Sequence, residues 1–74
     1  MIKKYKGIYP LLNKKLEEKD VKRPQLSEEL GITQKSLFNK LNGKTEFVLS
    51  EALKIKEIVA PGESLEELFK RNEN

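Results

Sequence analysis

The stretch from Gly31 to Thr45 reads G-I-T-Q-K-S-L-F-N-K-L-N-G-K-T and constrains the chain more than any other. It opens on a glycine, and the left-handed turn that ends a helix is easiest without a Cβ. Thr33 follows as an N-cap, a residue whose side-chain oxygen accepts an orphan N–H of the helix behind it. The spacing predicts that helix over about Gln34 to Leu41, with Leu37 and Leu41 sharing its inner face. Asn42-Gly43 is a strong stop and turn signal. Nothing acidic lies between Gly31 and Thr45, whereas Lys35, Lys40 and Lys44 do, so the outer face of the helix is polar and basic.

Similar punctuation divides the rest of the chain. A first helix is expected from about Ile8 to Lys19, with Ile8, Leu11 or Leu12, and Leu16 at helical spacing. Pro10 falls in its first turn, where a missing N–H costs nothing. A second runs from about Arg23 to Leu30. Pro24 suits its first helical position, Leu26 and Leu30 lie one turn apart, and Ser27 is small enough to let another helix approach. A fourth is expected from about Leu49 to Val59, with Leu49, Ala52, Leu53, Ile55 and Val59 as core candidates, and Pro61-Gly62 breaks it. The fifth begins with a capping box, Ser64-Leu65-Glu66-Glu67, and should bury Leu65, Leu68 and Phe69. Residues Arg71 to Asn74 are expected to fray. Thr45 to Val48 is compatible with an extended segment but has no partner strand of similar character. The expectation is therefore an all-α fold: one domain over residues 1–74 built from five short helices.

Seventy-four residues support only a modest core, so self-association would add stability. The chain has no cysteine and no histidine. Disulfides and thiolate metal sites are excluded, as are the usual general base and the commonest metal ligand. The carboxylate pairs Glu17/Glu18, Glu28/Glu29 and Glu66/Glu67 are sequence neighbours on charged faces, and Tyr5 and Tyr9 have no partner that points to catalysis. No cofactor is expected, and no enzyme. No apolar run approaches membrane-spanning length and no secretory signal pattern is visible. Together with the absence of cysteine, this makes a cytoplasmic, reducing home the natural expectation.

Charge is unevenly placed. Residues 1–45 hold eleven Lys/Arg against five Asp/Glu, a net of +6, and residues 46–74 hold four against seven, a net of −3. The basic half matches an electrostatic footprint for a polyanion, although a solvated, charge-rich surface would give the same count.

Two helices joined through Leu30-Gly31-Ile32-Thr33, with a longer helix behind, resemble the Cro/cI phage-repressor family, also called Xre-type. The resemblance covers about Ile8 to Phe69. It is most specific from Leu26 to Thr45, where Ser27, Gly31, Ile32, Leu37 and Asn42-Gly43-Lys44 all match. Leu49 to Ile55 looks like the family's fourth helix and Leu65 to Phe69 like its closing element. Two positions depart from the pattern. Lys40 stands where the family usually has an apolar residue, which here comes one position later at Leu41. The positions of a common buried Arg–Glu pair look like Leu16 and Leu41, an apolar contact that can replace such a pair without loss of stability.

The resemblance implies a lambda-repressor-like helix-turn-helix over about residues 23–41, whose third helix enters the DNA major groove by its N-terminal end. Gln34, Lys35, Ser36 and Asn39 should then face base edges. Gln and Asn amides can bridge adenine N6 and N7, and Lys can donate to guanine O6 and N7. Arg23, Gln25, Lys40, Asn42, Gly43, Lys44 and Thr45 are expected at phosphates, with the backbone N–H groups of Gly43 to Thr45 forming a clamp. Phe38 either touches a thymine methyl or packs on the rim of the core, with the rim favoured. Lys3, Lys4 and Lys6 form a basic arm over residues 1–7, or a simple tail. Ile58, Leu65 and Phe69 are candidate homodimer contacts.

The leading expectation is a sequence-specific double-stranded DNA-binding transcriptional regulator, a small repressor of prophage or bacterial type. Neither a membrane nor a small-molecule ligand is expected among its partners. The alternatives are an antitoxin that binds DNA and a toxin partner, and a protein-interaction module without DNA binding. Lys35 and Lys44 beside uncharged amides argue against the last.

Overall fold

The computed structural model describes residues 8–71. The basic arm expected at residues 1–7, and residues 72–74 of the expected frayed tail, lie outside the described residues. Five helices form: α1 at Pro10–Glu18, α2 at Arg23–Leu30, α3 at Gln34–Leu41, α4 at Leu49–Val59 and α5 at Leu65–Leu68. Among the described residues there is no strand, and the fold is all-α.

The first three helices end in one way. After α1 the N–H of Asp20 donates to Glu17 O (3.1 Å) and that of Val21 to Leu16 O (2.9 Å). After α2 the pair is Gly31 to Glu28 O (3.1 Å) and Ile32 to Ser27 O (3.0 Å); after α3 it is Gly43 to Lys40 O (3.2 Å) and Lys44 to Asn39 O (2.9 Å). This is the Schellman arrangement, which satisfies carbonyls the helix leaves open and needs a left-handed residue at its corner. The corners are Asp20 (φ +56°), Gly31 (φ +71°) and Gly43 (φ +84°). The first two motifs also throw the following residue back on the helix: Val21 is buried after α1 and Ile32 packs against the core after α2.

The core collects Leu12 and Leu16 of α1, Leu26 of α2, Leu37 and Leu41 of α3, Ile55 and Val59 of α4, and Leu68 of α5. Leu16 and Leu41 are thus both core residues. Ser27 is the buried polar residue, and its hydroxyl donates to Pro24 O at 2.9 Å, so it enters the α2 interface with its hydrogen bond satisfied. Tyr9, Phe47 and Phe69 form an aromatic triad with ring centroids 5.4–5.8 Å apart, closing the seam between the start of α1, the α3–α4 loop and the end of α5.

Several sequence expectations are corrected. Leu49 and Leu53 are not core: they are 67% and 45% exposed. Ile55 and Val59 set the inner face of α4, and at about 100° per residue Leu53 lies on the far side from them. Arg71 is not frayed. Its guanidinium lies 3.0 Å from Glu46 Oε2 and over the Tyr9 ring at 5.8 Å. Leu65 is only half-buried, while Phe69 sits in the triad.

Candidate nucleic-acid interface

The candidate surface is the outer face of α3 with the start of α2 and the turn after α3. Its pose is set at four points. Leu37 and Leu41 point into the core. The Gly31 turn fixes the entry from α2. The Ile8 N–H donates to Leu41 O at 3.1 Å, and Gly43 leaves room for Ile8: a Cβ there would lie 2.6 Å from Ile8 Cδ1. Finally Lys40 reaches α4, as described below.

At its N-terminus α3 is capped as expected: Thr33 Oγ1 accepts the Ser36 N–H at 3.0 Å. Gln34 and Lys35 are exposed in the first turn, and Ser36 and Asn39 are half-buried. Leu37 and Leu41 fix the inner face, so Lys35 and Asn39 stand roughly opposite it. The four residues expected at base edges therefore share the first turns of one solvent-facing helix.

The residues expected at phosphates divide. Arg23 opens α2, half-buried, and Gln25 beside it is exposed. The Lys44 and Thr45 side chains are exposed beyond α3. Neither Lys35 nor Lys44 forms an ion pair with a described residue. The backbone clamp, by contrast, is already engaged: the N–H groups of Gly43, Lys44 and Thr45 donate to Lys40 O, Asn39 O and Asn39 O, the last at 3.5 Å. The Asn42 amide donates to Phe38 O at 3.0 Å, closing the same helix end. These groups shape the turn, and what they offer outward is the Lys44 and Thr45 side chains.

Lys40 is a correction. Its ammonium turns inward to Glu51 Oε1 at 3.0 Å and Glu46 O at 3.1 Å, and the side chain is 13% exposed. The apolar stem is largely buried and the charge at its end is satisfied internally. A phosphate contact is no longer assigned to it.

Of the candidate dimer residues, Ile58 and Phe69 pack against the core. Large apolar side chains left exposed are Phe38, Val48, Leu49 and Leu53. Phe38, expected either on the rim of the core or at a thymine methyl, is half-exposed. It is 49% exposed on the flank of α3, and the Arg23 guanidinium carbon lies 5.5 Å from its ring centroid.

Comparison with protein-family models, curated proteins and solved structures finds no match for this chain.

The electrostatics of the helix starts complete the site. The N-terminal end of a helix carries partial positive charge, so an acid in the first turn stabilises and a cation does not. The first turns of α4 and α5 carry acids, Glu51 in one and Glu66 and Glu67 in the other. Neither α2 nor α3 has an acid in its first turn; Arg23 stands there in α2 and Lys35 in α3. Among the described residues no cluster of acidic side chains suited to a metal ion occurs, and no helix is long and apolar enough to cross a membrane.

Proposed function

We propose that this chain is a sequence-specific double-stranded DNA-binding transcriptional regulator, a small repressor of bacterial or prophage type, with α2 and α3 as its helix-turn-helix. The observation that carries the reading is the placement of Arg23 and Lys35 at the positive ends of adjacent helices. Stability alone favours the reverse, each cation working against its helix by a few tenths of a kcal/mol, of the order of 0.3–1. An anion docked there turns that cost into attraction, and a nucleic acid backbone is the extended anion that matches a surface of this size.

In this reading α3 lies in the major groove. Gln34 and Asn39 present amides to adenine edges, Lys35 presents an ammonium to guanine O6 and N7, and Ser36 adds a hydroxyl. Arg23 and Gln25 meet the phosphates on one wall and Lys44 and Thr45 those on the other, fixing register. Lys40 and Asn42 act on the protein side: one holds α3 to α4, the other closes its C-terminal end.

Selection of bound duplexes from a random pool tests the proposal. The expected result is enrichment of a common short motif in the bound fraction. A pool that emerges as random as it entered would overturn the assignment of sequence specificity.

A further inference from the structure

We infer that Phe38 reads a thymine, its exposed ring receiving the 5-methyl group at the nucleotide next to the phosphate met by Arg23. The inference rests on the DNA-reading proposal and adds a base identity to it.

Three observations lead there. First, the chain has three phenylalanines, and two of them, Phe47 and Phe69, are packed in the aromatic triad. The third is half-exposed on α3. Second, its surroundings are donors and cations: Gln34 one turn before it, Asn39 beside it and Arg23 across from it. About half of the ring, 49%, is left open to solvent on that side. Third, the guanidinium of Arg23 lies against the ring at 5.5 Å, a cation–π distance. That contact orients the ring and ties it to the start of α2.

The edges of the base pairs supply one apolar group in the major groove, the thymine 5-methyl, and an aromatic side chain is a fitting receptor for it. Cytosine and uracil lack that methyl. With Arg23 at a phosphate and Phe38 in contact with Arg23, the thymine falls close to that phosphate. The ring thus discriminates by contact with a methyl group, while its amide neighbours discriminate by hydrogen bonds.

The test uses the full-length chain and a duplex carrying the enriched site, with each thymine replaced in turn by uracil, which removes the methyl alone. Wild type should show a position at which the replacement weakens binding roughly fourfold, the effect of one methyl group withdrawn from water. In Phe38→Ala that position should become indifferent to the replacement, and Phe38→Leu, still apolar, should keep part of the effect. Circular dichroism of both variants verifies that the helices are intact. A flat uracil scan in wild type, or a methyl effect undiminished in Phe38→Ala, overturns the assignment of Phe38 and leaves DNA reading standing. Failure to bind any duplex overturns both.

Discussion

The ammonium of Lys40 lies 3.0 Å from Glu51 Oε1, with both side chains only 13% exposed, so a charge pair pins the last turn of α3 to the first turn of α4. The same carboxylate oxygen accepts the Val48 N–H at 3.1 Å, and Lys40 also donates to Glu46 O. One glutamate therefore caps α4 and holds α3. Glu51→Ala should cost about 2 kcal/mol, because it removes the cap and leaves a half-buried ammonium without its counter-charge. Lys40→Met should cost less, about 1 kcal/mol, since an apolar stem fits the site. Urea unfolding of both single variants and the double variant should give a coupling of about 1 kcal/mol. Strict additivity would show that the pair is not a working contact.

Gly43 is required by its φ of +84°, and an added Cβ would also lie 2.6 Å from Ile8 Cδ1, the far end of a side chain that can turn aside at small cost. Gly31, at φ +71°, has nothing within 4 Å of the same atom. Gly31→Ala should therefore cost about 1 kcal/mol from the backbone alone, and Gly43→Ala about 1–2 kcal/mol, the backbone cost plus a small one for turning the end of Ile8 aside. Ile8→Ala should narrow the gap when combined with Gly43→Ala. Equal costs for the two glycines would show that the end of Ile8 turns aside without strain.

On α4, Ile55 is fully buried and Leu53 is 45% exposed. Ile55→Ala should destabilise by about 2–4 kcal/mol, whereas Leu53→Ala should stay within about 0.5 kcal/mol of wild type. Thermal unfolding measures both, and a large loss at Leu53 would contradict the assigned face.

That face explains what was legible in the sequence. Helix limits are legible because the start and stop signals are local: Pro10, Pro24, Gly31 and Asn42-Gly43 act through their own backbones. The inner faces of α2 and α3 could be read because each has one apolar stripe. In α4, Leu49/Leu53 and Ile55/Val59 are two stripes at equal spacing, and only packing selects between them. Tyr9, Phe47 and Phe69 are far apart in the chain, so their triad had no sequence signal. Lys40 reads as a surface lysine in the sequence because its partner, Glu51, lies beyond a loop. Asp20 takes a left-handed corner without being glycine, a conformation that Asp tolerates better than most residues.

Within the proposed interface, base-facing and phosphate-facing residues should separate in their effects. Lys35→Ala and Asn39→Ala should each cost about 1–3 kcal/mol on the preferred site and relax discrimination there. Lys44→Ala should weaken all sequences about equally and lower the salt dependence. Competition binding with point-substituted duplexes distinguishes the two patterns, and unchanged discrimination in the first two variants would mean that α3 lies otherwise in the groove.

The central claim, that the face formed by α2 and α3 binds DNA, is met most directly by fluorescence anisotropy of a labelled mixed-sequence duplex titrated at about 50 and about 200 mM salt. With Arg23 and Lys44 each neutralising a phosphate, saturable binding should weaken roughly tenfold between those two conditions. Absence of binding at the lower salt would contradict the account.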